Sequence, residues 1–191
     1  MSGSRDVSEF AIKPLAASPQ TLDALADILV ETVAAGGSVH FLHPLSFADA
    51  RGFWDKALAA AARGERLVLG AYDGATLIAT VSLLLDTPPN QQHRAEIGKM
   101  MTHPKHRGRG AAAALLAEAE RLAAANGRTL LNLDTAADDG ASGLYEKAGY
   151  ILAGSIPDFA FRPHGGLTAT KIYWKRLGDN PPLPPRGRGS G

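Results

Sequence analysis

The sequence predicts an α/β fold of the α+β kind, a mixed and mostly antiparallel central sheet flanked by helices. Three observations predict it. Two helical apolar patterns open the chain, two apolar runs joined at an Asp-Gly follow, and a long alanine-rich segment then separates these from further strand-like stretches. The 191 residues are enough for one buried core and one domain, set at 8–177. Residues 1–7 are small and polar, and "GDNPPLPPRGRGSG" (178–191) is too rich in Pro and Gly to pack, so both ends are expected to be disordered.

Each element has its own signal. "EFAIKPL" reads as a first strand, and "TLDALADILVETVAAGG" carries Leu22, Leu25, Leu29 and Val33 at helical spacing before Gly36. A second helix begins at Ser46, with Asp49 three residues on as in a capping box, and runs to Gly64. "ERLVLGAYDGATLIATVSLLLD" is a hairpin turning at Asp73-Gly74. "RAEIGKMMT" (94–102) is a third strand of mixed polarity, stopped by His103-Pro104. A helix over about 109–125 ends at Asn126-Gly127; then "RTLLNLDT" reads as a strand, "DDGASGLYEKAG" as a short helix, and "YILAGS" and "LTATKIYWKRL" as the last two strands.

Composition excludes several classes of function. There is no cysteine, hence no thiol nucleophile, thiolate metal site or disulfide framework. With a formal net charge of +1 the chain is not a general polyanion binder, so the charge at 105–109 is a local feature. No apolar run reaches the roughly 18 residues needed to span a bilayer, and the N-terminus lacks the apolar core of a secretory signal, which reads as a cytoplasmic protein off the membrane. His103 and His106 form a close pair without a third ligand, so no metal is expected. The Arg-Gly tail has no aromatic platform behind it, and no nucleic acid is expected.

The local charge lies in "HPKHRGRGAAAALL" (103–116), where cations and glycines lead into a helix. Free amides, the positive end of the helix dipole and arginines all favour an anion there. A phosphate-binding P-loop would need a lysine after the second glycine, which is missing. Gly108, Gly110 and Ala113 do fit a dinucleotide fingerprint, with Asp134 near the position of a ribose-binding acid. Against it, "HPKHR" separates strand from glycine, Glu96 and Lys99 interrupt the strand, and an antiparallel hairpin precedes it. The plain structural alternative is a solvated basic loop with glycines as turn devices.

A third reading accounts for more residues. "RGRGAA" (Arg107–Ala112) fits [Q/R]-x-x-G-x-[G/A], and "DDGASGLYEKAGY" follows at a suitable separation. On these two motifs the chain resembles the GCN5-related N-acetyltransferases over about 65–177, with Asp138 where asparagine is usual. The segments "ETVAAGGSVHFL", "RAEIGKMM" and "NLDT" are similar to that family's tabtoxin-resistance acetyltransferase branch. The resemblance implies acetyl-CoA as cosubstrate, its pyrophosphate on Gly108, Gly110, Ala111 and Ala112 with Arg107 and Arg109 adding charge-assisted contacts. It further implies that pantetheine pairs with the main chain of Met100, Met101 and Thr102, where Thr102 replaces the usual valine.

Acetyl transfer to an amine requires removal of a proton from a group of ordinary pKa near 10.4 and an acid for the departing thiolate, near 8.5. The resemblance implies Glu96 as base, with Asp134 facing the same cleft where the two strands splay. It also implies that the Tyr145 phenol protonates the thiolate. Each has a bland counterpart: Glu96 paired with Arg94 or another cation, Asp134 capping a turn, Tyr145 packed in the core. Trp54 and Trp174 read as packing residues or as lining of the acceptor pocket, and "FRPHGGL" as a strand connection beside the acceptor cleft or a plain loop.

The expected function is direct transfer of acetyl from acetyl-CoA to a small-molecule amine, in toxin or antibiotic detoxification if the branch resemblance extends that far. No cysteine is available to carry an acyl-enzyme. Two alternatives stay open: a non-catalytic acyl-CoA binding or sensor module, and an acetyltransferase acting on a protein or peptide amine. A homodimer is compatible with the sequence.

Overall fold

A computed structural model describes residues 10–138 and 140–178. Of the ends expected to be disordered, 1–7 and 178–191, all but Gly178 lie outside the described residues. A seven-stranded sheet in the order β1-β2-β3-β4-β5-β7-β6 forms from β1 (Ala11–Pro14), β2 (Arg66–Asp73), β3 (Thr76–Leu84), β4 (Arg94–Thr102), β5 (Leu130–Ala136), β6 (Ile151–Phe161) and β7 (Leu167–Arg176). Every neighbouring pair is antiparallel except β4–β5. The helices are α1 (Pro19–Ala34), α2 (Phe47–Ala62), α3 (Ala111–Ala125) and α4 (Ser142–Lys147), in the predicted order.

Local chemistry explains the boundaries. Ser18 and Ser46 cap α1 and α2 by accepting the amides of Thr21 and Asp49. The hairpin turns on Gly74-Ala75, one residue later than the Asp-Gly reading, because Asp73 and Thr76 are register partners and Gly74 at φ 59° takes the first central position. Helix α3 starts at 111 instead of 109, since Gly108 and Gly110 adopt φ 75° and 90°. Strand β6 runs six residues past its expected end. The added stretch contains Pro157-Asp158; on an edge strand the proline loses no ladder bond, and a bulge with Asp158 at φ 51° absorbs the pair.

The two faces of the sheet bury different helices. Leu69, Val81, Leu83, Ala95, Ile97, Leu131, Leu133 and Tyr173 pack on Leu115, Leu116, Ala119 and Ala123 of α3. On the opposite face Val68, Leu77 and Met101 pack on Leu25, Leu29, Trp54 and Leu58 of α1 and α2. Trp54 is fully buried, as a packing residue would be. Side-chain alternation then decides where polar residues point. Because Ala95, Ile97, Leu131 and Leu133 face α3, Glu96, Asn132 and Asp134 face the other way.

Candidate active site

Strand β4 is built irregularly around the polar positions. It pairs with β3 along most of its length but with β5 only at Arg94, Ala95 and Glu96, whose partners are Leu130, Leu131 and Asn132. Beyond Glu96 the two parallel strands separate, leaving one edge of β4 from Ile97 to Thr102 without a strand neighbour. On the β3 side, Ser82 pairs with Gly98 and Thr80 with Met101, so Lys99 and Met100 together oppose Val81. This bulge, with Lys99 at φ 51°, inverts the alternation. Met100 consequently packs toward the α3 core and Met101 is buried against α1 and α2.

A cavity of about 790 Å³ passes through the gap. Glu96, Asp134, Tyr145, Met100, Thr102, Arg107, Gly108, Arg109, Gly110, Ala111 and Ala112 all line it, together with Lys99, His40 and Arg66. Of the site residues expected from sequence, Met101 alone does not line it. Its side chain belongs to the core, which leaves only its main chain for the pairing first assigned to it.

At the glycine loop, Gly108 and Gly110 would meet no atom within 4 Å if they carried a Cβ. Their glycine identity answers to backbone conformation, and the space beside them is open. Gly110 occupies the N-cap of α3 without any side-chain cap, and the first acceptor the helix uses is its carbonyl, taken by the Ala114 amide at 3.1 Å. The amides of Ala111, Ala112 and Ala113 therefore precede the first helical bond and carry the positive end of the helix dipole. The Arg107 Nε donates to the Thr102 carbonyl at 3.3 Å. Arg109 is engaged elsewhere: its Nη1 lies 2.7 Å from Asp73 Oδ2, and its guanidinium stands 5.7 Å over the Phe10 ring.

On the opposite side of the gap the bland reading of Glu96 is not what the structure shows. Arg94 donates to Gln91 Oε1 and Asn132 Oδ1, and among the described residues no cation forms an ion pair with Glu96 or Asp134. Asp134 accepts a 3.2 Å bond from Thr170 Oγ1. Tyr145 is buried against Tyr150 and Tyr173, so it is a packing residue and a cavity-lining residue at once. Burial first, and the Asp134 charge second, push its phenol up to about 12.

Sequence reasoning missed His40 and Arg66 and saw Lys99 only as an interruption. Lys99 Nζ donates to His40 Nδ1 at 2.8 Å and stands 5.8 Å over the Phe53 ring. Burial holds Lys99 below the usual lysine value while Asp134 and Glu96 oppose that shift; burial and then Lys99 hold His40 below the usual histidine value. His40 comes from the α1–α2 loop, which is anchored to the β6–β7 connection: the His43 amide donates to the Pro163 carbonyl at 2.9 Å and His164 Nε2 to the Ala34 carbonyl at 3.0 Å. "FRPHGGL" is thus a clasp beside the cavity. Asp138, standing where asparagine is usual, pairs with Arg162 and accepts from Thr168 Oγ1 at 3.3 Å, tying the entry of α4 to the same connection. His103 is occupied by the Lys105 amide at 3.2 Å and by Asp27 at 3.4 Å.

A split parallel pair with an anion-ready helix end on one face and unpaired carboxylates on the other defines a site suited to group transfer between two ligands meeting at the gap. The chain belongs to the acetyltransferase (GNAT) family, whose model matches residues 34–150. Similar solved structures include a GNAT superfamily phosphinothricin acetyltransferase from Sinorhizobium meliloti in complex with acetyl-CoA, at 20% identity and a TM-score of 0.75, covering 88% of this chain and 89% of that one. An N-acetyltransferase from Staphylococcus aureus Mu50 matches at 18% and 0.74, over 88% and 99%. A ribosomal-protein-alanine N-acetyltransferase from Brucella melitensis matches at 20% and 0.72, over 87% and 99%. At these identities the likeness is one of fold. Among the described residues no helix is long and apolar enough to cross a membrane.

Proposed function

We propose that this chain transfers the acetyl group of acetyl-CoA directly to the amine of a small molecule. The observation that carries this reading is the gap beyond Glu96 and Asn132, which gives one cavity access to both faces of the sheet. Acetyl-CoA fits the residues present: free amides at Ala111–Ala113, left-handed glycines and open space meet the requirements of a pyrophosphate, and the unpaired edge of β4 those of an amide-bearing chain. Bound there, it supplies an activated thioester.

The chain's own residues would then act as follows. The amides of Ala111 and Ala112, with Arg107, hold the phosphates, and Arg109 contributes only to the extent that it leaves Asp73. Glu96, in no ion pair among the described residues, takes the proton the amine loses as its nitrogen bonds to the carbonyl carbon, and Asp134 supports that carboxylate or relays through water. As the C–S bond breaks, Tyr145 donates to the sulfur. Its phenol stays protonated throughout the neutral range, so it enters the reaction as a hydrogen-bond donor. The resemblance to the tabtoxin-resistance branch and the enclosure of the carboxylates beneath the α1–α2 loop support a small acceptor, in keeping with detoxification. The exposed Ile151, Leu152, Ile156 and Phe161 on edge strand β6 support assembly with a second copy.

Titration with acetyl-CoA followed by a free-thiol assay over an amine panel tests the reading. Thiol release with small amines supports it. Release only with peptides transfers it to a macromolecular amine, and tight binding without release on any acceptor replaces it with a binding module.

A further inference from the structure

Apart from Arg107 of the glycine loop, four charged side chains line the cavity without an ion-pair partner among the described residues. Glu96 and Asp134 are two of them. The others are Lys99 and Arg66, and among the described residues neither stands in an ion pair with a carboxylate.

Arg66 opens β2 in a cross-strand row that runs Arg66, Leu84, Glu96, Asn132 and Trp174 over five strands. Two strand spacings, about 10 Å, therefore separate its backbone from that of Glu96. Arg66 is half-buried, and its Nε is buried with no hydrogen-bond partner among the described residues, which leaves one guanidinium donor for whatever enters the cavity. Lys99 reaches the same space from the β4 bulge. Its ammonium is steered by a neutral ring nitrogen and an aromatic face, neither of which cancels its charge. Cations placed merely to neutralise Glu96 and Asp134 would sit at ion-pair distance from them, and they do not.

We propose that Lys99 and Arg66 form an anion subsite for the acceptor, so that the amine facing Glu96 and Asp134 belongs to a molecule that also carries a carboxylate. His40 is a positioning residue that aims Lys99. The proposal rests on the acetyl-transfer reading for the direction in which the amine faces, and it adds the part of the acceptor that transfer itself does not require. Two carboxylates and two cations across one cavity match a zwitterion, with like-charge contacts penalising the reversed orientation.

The test compares amino acids with their carboxamides, first by calorimetry on CoA-loaded protein and then by thiol release with acetyl-CoA. The expected result is that at least one acid binds about tenfold or more tighter than its amide, the scale of a charge-assisted contact. In Lys99→Gln and Arg66→Gln that ratio falls toward one, with KM for the acid rising far more than kcat falls. Lys99→Arg and Arg66→Lys should restore most of the ratio, which separates a lost charge from a damaged fold. His40→Asn, a residue that tolerates the φ of 71° found there, should raise KM for the acid without altering the ratio of kcat values between acid and amide. The proposal is overturned by a ratio near one in the unaltered protein, by a ratio the charge-removing variants leave intact, or by no member of the panel binding. Preferential binding of acids with no thiol release on any of them would sustain the subsite and sink the transfer reading.

Discussion

Glu96 of β4 and Asn132 of β5 are the last register partners between the only two strands that run parallel among the described residues, and the cavity opens at their row, where Arg66, Leu84 and Glu96 line it. The Glu96 carboxylate therefore sits where β4–β5 pairing stops and the cavity begins. From that position Glu96→Gln should lower kcat by about 10²–10⁴, the range for a general base, while the affinity for acetyl-CoA changes little. Steady-state thiol release together with calorimetry checks this. Unchanged kcat would move the role to Asp134, whose replacement by Asn should then carry the larger loss.

Tyr145→Phe should slow thiol release by about ten- to a hundredfold if the hydroxyl donates to the departing sulfur, at the low end of acid–base contributions. Because burial pushes the phenol up to about 12, no limb of the pH–rate profile below pH 10 should vanish in the variant. The same shift carries a stability consequence. The folded state holds the Tyr145 proton more tightly than the unfolded chain, so the contribution is complete below pH 10 and is lost as pH rises toward 12. Denaturant midpoints in the two proteins should converge over that window.

His40 shifts in the opposite direction. Burial, then Lys99, depresses its pKa below 6.5, so the folded state favours the neutral ring; stability from this site is present above pH 6.5 and is lost as pH falls through the depressed value. Protonation also removes the acceptor that Lys99 uses. Acid-limb denaturation of His40→Asn should be flatter than that of the unaltered protein, and an unchanged slope would remove His40 from this role.

Gly108→Ala and Gly110→Ala place a Cβ in open space but at φ 75° and 90°, so the cost is torsional, about 1–2 kcal/mol each. Asn at either position should recover part of it. Thermal melts measure the fold, and acetyl-CoA affinity measures the loop. If alanine left both unchanged, the left-handed turn would not be what those glycines supply.

Trp54→Ala removes a fully buried ring from the α1–α2 core and should cost about 3–5 kcal/mol, with no accompanying loss of acetyl-CoA affinity per folded molecule. Chemical denaturation and titration on the same sample distinguish the two.

The element order, the Ser46 cap and the glycine loop were legible in the sequence because each is a local device, whereas the Ser18 cap was not read. Ser46 with Asp49, or Gly-x-Gly ahead of alanines, declares itself within a few residues. Glu96 and Asp134 became candidates only through resemblance, since nothing local says that two strands part beyond Glu96. His40 and Arg66 were not found. They reach the cavity from a loop and from a strand two removed from β4, and such convergence has no periodicity to betray it. Strand β6 extends beyond the "YILAGS" read from sequence, because the edge of the sheet accepts Pro157-Asp158 within a bulge.

The bulge at Lys99 also bears on how this site can change. It splits β4 into two segments of opposite parity, one presenting Glu96 and the other Met100 and Thr102. Deleting Lys99 would restore regular alternation with Met101 still opposite Thr80 and still in the core, so the bulge residue can be exchanged or lost without turning either segment over. The two halves of this strand are joined through a residue outside the alternation of either, and on the acetyl-transfer reading selectivity for one ligand can drift while the seat of the other holds still.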